Sequence, residues 1–257
     1  MAGVNLARTD SVTRLFDEAA PDYDAVQGLM AFGSGAWYRR TALVRCGLGR
    51  GMRVLDIATG TGLVAREARR IVGREGAVTG VDVSAGMLAR AARALPGTLA
   101  QGRGEHLPFR AGQFDCVIIG YALRHLDQPT AFAEMLRVLR PGGIACILEI
   151  GAPVSGLLRR ILGLYIGRVV PLVSRVIGTR TVTRDLWRYY WSTIQHALPA
   201  TTVLQNLSAA GFEDARRHVV QRIFCEYTAS KPRLDSARLL AQPRDAAMPD
   251  IPKTRRG

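Results

Sequence analysis

The stretch Val54 to Gly62, VLDIATGTG, constrains this chain more than any other. Val54 to Ile57 is a short apolar run with one acid, Asp56, inside it, and Ala58-Thr59-Gly60-Thr61-Gly62 follows without a break. From Leu63 to Val72 the apolar residues recur three and four apart, the period of a helix. The order is buried strand, glycine-rich turn, helix. Gly60 and Gly62 lack a Cβ, so the backbone there can turn tightly and approach a ligand. The helix behind them leaves its first N–H groups unpaired and aimed at the turn. A nucleotide-type site at the head of an α/β domain is the expectation.

Gly60-Thr61-Gly62-Leu63-Val64-Ala65 fits the loose dinucleotide pattern G-x-G-x-x-G/A, which alone is weak. Two acids sharpen it. Asp56 stands inside the strand, where its carboxylate can meet a ligand cation or order the turn, and where a buried, unpartnered acid would be costly. Asp82 ends a second apolar run (Ala77 to Val81), twenty residues after Gly62, where an acid would hold a ribose diol. Together they resemble the class I S-adenosylmethionine-dependent methyltransferases more than the dehydrogenases.

The rest of the chain continues the alternation. Residues 1–12 read as loose, Val12 to Ala20 as a short helix, and Ala36 to Leu48 as another. A crossover helix is expected from Ser84, a plausible N-cap, to Ala94, and a brief strand at Thr98 to Gln101. Phe114 to Gly120 is an unbroken apolar strand, as a buried parallel strand should be. Thr130 to Arg140 predicts a helix stopped by Pro141, and Ile144 to Ile150 a fifth strand. Leu157 to Ile177 reads as two helices hinged at Pro171, Thr181 to Leu198 and Val203 to Ala210 as further helices, and 213–230 as a last pair of strands. The fold class is α/β: a doubly wound, mostly parallel, seven-stranded sheet, Rossmann-like, with a helical lid inserted after the fifth strand. The expected units are an N-terminal helical cap at 1–40, a catalytic domain at 41–231 with its helical insertion at 152–200, and a disordered tail at 232–257.

Composition narrows what remains. At 257 residues, with 48% hydrophobic and 22% charged residues, the chain suits one α/β domain with insertions. Cys46, Cys116, Cys146 and Cys225 form no CxxC pair and the four histidines have no ligand spacing, so neither metal nor disulfides are expected, and a reducing, cytoplasmic setting is. The N-terminus MAGVNLARTD lacks the apolar core of a secretion signal. The net charge of +14 is partly plain arginine abundance. It also raises an anionic partner, nucleic acid or membrane. Between Leu157 and Ile177, Arg159, Arg160, Arg168 and Arg175 interrupt an apolar segment too often for it to span a bilayer. Such a segment is a lid packed on the sheet, an interfacial patch that admits a greasy substrate from an anionic membrane, peripherally at the inner face, or both at once.

Four stretches resemble the ubiquinone/menaquinone biosynthesis C-methyltransferase family, over roughly residues 14–231. They are Tyr23-Asp24 with Leu29-Met30 and Phe32-Gly33; Asp56 to Gly62, with Ala58 where most methyltransferases have glycine; Glu105 to Phe109 with Phe114-Asp115; and Arg137 to Gly143 ending in Leu148-Glu149. Ala122-Leu123-Arg124-His125 is similar to the family's Gly-Leu-Arg-Asn. The departures are Gln27 or Gly28 and Gly35 near the family's Asn and His, Arg103 where an acid or amide usually lies near adenine, His125 for Asn and Gly151 for Ser.

The resemblance implies in-line methyl transfer from S-adenosylmethionine to a lipophilic aromatic acceptor, most simply the ring carbon of a quinol. It implies a cofactor site built from Asp56, Ala58, Thr59, Gly60, Gly62, Asp82, Val83, Met87, Gly104, Glu105 and Tyr121. Arg124 would stabilise a developing phenolate, His125 would take the hydroxyl proton, and Tyr23 would close over the cofactor. Their plain alternatives are a surface arginine, a structural histidine and a core aromatic. Tyr121, Trp187 and Tyr189 are expected as pocket walls. Three competing functions are an O- or C-methyltransferase of another aromatic or polyketide, a nucleic-acid methyltransferase, and a non-catalytic cofactor-binding protein. Gly120-Tyr121-Ala122-Leu123 lacks the Asn/Asp-Pro-Pro-Tyr clamp of base methylation, so no specific nucleic acid is expected. Oligomerisation stays open.

Overall fold

A computed structural model describes residues 6–30, 35–93, 95–151, 156–176, 178–179, 181–195 and 197–233. Seven strands form one sheet in the order β3-β2-β1-β4-β5-β7-β6. They are β1 Arg53–Ile57, β2 Ala77–Asp82, β3 Leu99–Gln101, β4 Phe114–Gly120, β5 Leu139–Ile150, β6 Glu213–Val220 and β7 Phe224–Ser230. The first five run parallel, and β7 lies antiparallel to both of its neighbours. Strand order reverses at β1, so the crevice beyond the carboxyl ends of β1 and β4 is where a ligand belongs.

Alternation along the strands builds two cores. Leu55, Ile57, Val117, Ile119 and Ile147 face one side, under α6 (Gln128–Val138) and α10 (Ala200–Ala209). Val54, Cys116, Ile118, Cys146 and Leu148 face the other, under α3 (Gly35–Arg45) and α4 (Leu63–Val72). A domain boundary at residue 40 would cut α3, whose Tyr38, Ala42 and Leu43 bury against the α4 side of the sheet. The helix belongs to the sheet and not to a cap.

A third, aromatic cluster lies over the carboxyl end of the sheet. It joins α1 (Leu6–Ala19) and α2 (Tyr23–Met30) to α8 (Val170–Val176) and α9 (Thr181–Gln195), through Phe16, Ala19, Tyr23, Val170, Trp187 and Tyr190. The N-terminal helices and the insertion after β5 are thus one cap. Among the described residues, no helix is long and apolar enough to cross a membrane.

Several boundaries differ from the sequence expectation, each for a physical reason. The first helix starts at Leu6 and not Val12, since adding turns to a nucleated helix costs little. The helix α6 ends at Val138, and β5 begins at Leu139 with Pro141 inside it. That proline lies where the β4–β5 register shifts, and the neighbouring Gly142 and Gly143 pair with Lys231 instead. Pro171 is not a hinge between two helices. α7 (Gly156–Leu164) runs into a π turn, Tyr165–Val169, and then directly into α8. The amide of Val170 reaches the Tyr165 carbonyl, so the turn absorbs the proline's missing donor without a break. Apart from residues 232 and 233, the tail expected at 232–257 lies outside the described residues, as does Phe32-Gly33.

Candidate active site

Backbone strain marks both sides of the crevice. Ala58, just past β1, has φ 53°, and Tyr121, just past β4, has φ 61°. Left-handed backbone at a residue with a Cβ costs about 1–3 kcal/mol and persists only where the surroundings impose it. Here the Thr59 amide is fixed to the Val81 carbonyl at 3.0 Å, and the Tyr121 amide to the Leu148 carbonyl at 2.7 Å. Gly60 (φ 57°) and Gly62 (φ 83°) complete the turn into α4. A Cβ built on Gly60 would meet nothing within 4 Å, so the space over the loop is open.

Two buried carboxylates floor that space. Asp56 is 1% exposed, and its Oδ2 accepts the Thr59 hydroxyl at 2.8 Å. Its Oδ1 is buried with no hydrogen-bond partner; the Ala65 amide faces the carboxylate but falls short of bonding geometry. Burial pushes the carboxyl up to about 7, opposed by the Thr59 hydroxyl and reinforced by the nearby Asp82 charge. Asp82 has both oxygens engaged: Oδ2 takes the Gly60 amide at 2.8 Å and Oδ1 the Ser84 amide at 2.9 Å. Burial raises its pKa, and those amides oppose the rise.

This donor set fits an adenosyl sulfonium that carries a ribose diol and an ammonium group. The orphaned Asp56 oxygen suits the cation, and each Asp82 oxygen can accept a second hydrogen bond, from a hydroxyl. Beside Asp82, Val83 has its carbonyl tied to Gln101 at 3.0 Å, and Met87 is buried at the start of α5 (Ala85–Ala91) behind its Ser84 cap. Gly104 lies against Ile57 and Leu126, which a Cβ would crowd. Glu105 is turned to a structural task, because its Oε1 accepts the Asp127 amide at the cap of α6. Arg103 lies 3.9 Å from the Glu105 carboxylate, which offsets its charge.

The second half of the site lies past β4 and β5. Arg124 sits on a single 3-10 turn, Leu123–His125, and its side chain is only 5% exposed. It is no surface arginine. Nη1 donates to Glu149 Oε2 at 2.7 Å, Nε to the Thr193 hydroxyl at 3.0 Å, and the guanidinium lies 5.0 Å from the Tyr190 ring centroid. One donor, Arg124 Nη2, and one acceptor, Glu149 Oε1, remain buried without partners. Both residues line a cavity of about 300 Å³ that Gln128, Leu198, Val203 and Tyr227 also wall.

Tyr23 bridges the two halves. Its hydroxyl pairs with that of Tyr190 at 2.8 Å and feels the charges of both Arg124 and Asp24. Asp24 in turn accepts the Thr61 hydroxyl of the glycine loop at 2.5 Å. Asp17 of α1 accepts the Ser84 hydroxyl and the Gly86 amide, so the cap is latched to both cofactor loops. His125 stands outside the cavity, between Phe16 and Tyr189, with Nδ1 3.0 Å from the Tyr189 hydroxyl. Burial and the Arg124 charge lower its pKa to about 3, so the imidazole is neutral. Trp187 stacks on Tyr23 and Tyr190 as a wall of the cap. Among the described residues, no group of three or more His, Cys, Asp or Glu is placed to hold a metal.

Sequence reasoning assigned no role to Tyr190, Thr193 or Asp17, and named Asp24 and Glu149 only within the stretches that carry the family resemblance. Glu149 carried the same signal as Asp56, an acid at the carboxyl end of an apolar strand. The contacts of the cap residues carried none, because the partners lie 37 to 167 residues apart.

The chain resembles known proteins in both sequence and fold. It is 32% identical over 219 residues to the ubiquinone/menaquinone biosynthesis C-methyltransferase UbiE of Coxiella burnetii, a match covering 82% of this chain and 86% of that one. It is 34% identical over 210 residues to UbiE of Idiomarina loihiensis, covering 79% and 82%. Its fold matches a SAM-dependent methyltransferase from Aquifex aeolicus with a TM-score of 0.56 at 17% identity, covering 75% of this chain and 89% of that one. Residues 4–231 match the model of the ubiE/COQ5 methyltransferase family, and the chain belongs to that family.

Proposed function

We propose that this methyltransferase uses S-adenosylmethionine to methylate a ring carbon of a lipophilic quinol, the activity that the names of its relatives carry. The observation that carries this reading is the unpaired donor and acceptor, Arg124 Nη2 and Glu149 Oε1, on two residues that line the 300 Å³ cavity. A phenolic hydroxyl is complementary to both. Glu149 Oε1 accepts the hydroxyl proton, and Arg124 Nη2 donates to the oxygen as it becomes a phenolate. Charge on that oxygen makes the adjacent ring carbon nucleophilic. Asp56 and Asp82 would hold the cofactor at the glycine loop, and it would supply an electrophilic methyl group on a sulfonium. The carbon that gains the methyl then loses its own proton to solvent, which restores the aromatic phenolate, and the protonated Glu149 returns the first proton to that oxygen.

The remaining residues position these groups. Thr193 and Tyr190 fix the guanidinium, and Tyr23 stands between the cofactor loop and Arg124 to exclude water. We assign the base to Glu149 and not to His125, because Glu149 lines the cavity and the imidazole stands outside it, against Phe16 and Tyr189. His125 instead orients Tyr189. A quinol with a long apolar tail lives in a bilayer, so this reading places the enzyme peripherally at the cytoplasmic face of a membrane.

Mass spectrometry of lipid extracts from cells with and without the gene tests the acceptor class. A demethylated quinone that accumulates in the deletion and clears on re-expression is expected. An unchanged quinone pool would contradict it, and favour another aromatic or polyketide acceptor.

A further inference from the structure

From Ala152 to Arg184 the chain has six arginines and no acidic residue. Within this stretch α7, the π turn and α8 form one continuous helical run. Its inner face is buried: Ile166, Val170, Pro171 and Ser174 pack toward α9. Its outer face is not. Leu157 is 71% exposed, Leu172 62% and Val176 79%, with Ile161, Leu164 and Val169 also exposed.

The spacing of these six residues is 4, 3, 5, 3 and 4. In an uninterrupted α-helix the step of five would throw the second half about 100° out of line with the first. The step falls across the π turn, where i→i+5 bonding takes up the additional residue. The π turn therefore sets both halves on one stripe. Arg160, Arg168 and Arg175 are exposed, and by the same phasing they flank that stripe on one side. No ion pair to an acid is formed by any of them among the described residues. Arg159, Arg160 and Arg168 also line a shallow groove of about 420 Å³ whose apolar wall includes Leu164 and Trp191.

We infer that this surface docks the enzyme on an anionic lipid bilayer, with the aliphatic stripe in the acyl boundary and the arginines on lipid phosphates. A second copy fits less well, because a two-fold contact through this patch would face arginines with arginines and offer no acid. The opposite face of the same helices packs on Trp187 and Tyr190, which reach Tyr23 and Arg124. The surface thus stands back to back with the aromatic cluster that packs on Arg124. This deepens the membrane placement proposed above, and its test does not depend on catalysis.

The test is flotation of the purified protein with phosphatidylcholine vesicles, with and without phosphatidylglycerol. We expect flotation with the anionic vesicles only, weakening as salt rises. Replacing Arg160, Arg168 and Arg175 together by Gln should lower the partition coefficient about a hundredfold, at roughly tenfold or less per arginine. Leu157→Ser with Leu172→Ser and Val176→Ser should also abolish flotation. Both sets lie on the surface and should leave circular dichroism and S-adenosylmethionine affinity unchanged. Asp82→Ala should lose the cofactor and still float, which separates this surface from the catalytic reading. Equal flotation with neutral vesicles, flotation undiminished in both sets, or no flotation at low salt would overturn the proposal. So would a concentration-dependent dimer that the Ser variants abolish, since it would assign the stripe to a second copy.

Discussion

Asp56 is costly in the free protein, and that cost should make cofactor binding depend on pH. Its carboxyl is raised from 3.8 to about 7 by burial, with one oxygen unpartnered. Between these values the folded protein keeps a proton that the unfolded chain has released. Stability of the cofactor-free protein should therefore fall as pH rises through that window and level off above 7. A ligand cation favours the anion, so binding should expel this proton. Affinity for S-adenosylmethionine should then drop by up to about tenfold per pH unit below 7. Titration calorimetry in buffers of different ionisation enthalpy reads the proton release, and Asp56→Asn should abolish it and bind more weakly. The Arg124–Glu149 pair needs more careful substitution. Arg124→Ala leaves a buried carboxylate unpaired, at about 3–5 kcal/mol, so loss of activity there would not separate chemistry from folding. Arg124→Met with Glu149→Leu removes both charges and should recover most of the thermal stability that Arg124→Ala loses. It should bind cofactor normally and show turnover down by about 10²–10³-fold or more. A turnover near that of the native protein would return both residues to a structural role.

The cap is where separate elements become one device. Asp17 and Asp24, on α1 and α2, bond to the loops that follow β2 and β1, and Tyr23 closes onto Tyr190 of α9. Cofactor exchange should therefore depend on how readily these contacts open. Asp24→Ala should raise the cofactor dissociation rate severalfold in stopped-flow displacement, and lower stability by about 1 kcal/mol for the lost hydrogen bond. Pairing of α1 and α2 with α9 was not legible in the sequence, because no local pattern shows which distant helix a buried aromatic meets. Strands and crossover helices were legible, since unbroken apolar runs and 3.6-residue periods come from burial itself. Ends were blurred where a rule of thumb met context: Pro141, expected to stop a helix, lies in β5 at a register shift, and Pro171, expected as a hinge, follows a π turn.

At the scale of the molecule, one sheet sets the positions of all these groups. The order reversal at β1 brings Asp56, Asp82, Tyr121 and Arg124 to the same edge, although they span 69 residues of sequence. The cofactor half of the site was legible because its residues are held by the strand–loop–helix unit that the sequence spells out. Much of the acceptor half was not, because Glu149 and Tyr190 acquire meaning only once β5 and α9 stand beside Arg124. Charge follows a similar division. The excess of arginine is general, but the stretch with no acid to balance it coincides with the exposed apolar stripe. The decisive measurement is transfer of a ¹³C-methyl group from labelled S-adenosylmethionine to a demethylated quinol by the purified protein, read by NMR. A product resonance in the range of a methyl on an aromatic carbon is expected, lost in the Arg124→Met, Glu149→Leu variant. A methoxyl resonance, or no labelled product from a protein that binds the cofactor, would contradict ring-carbon methylation at this site.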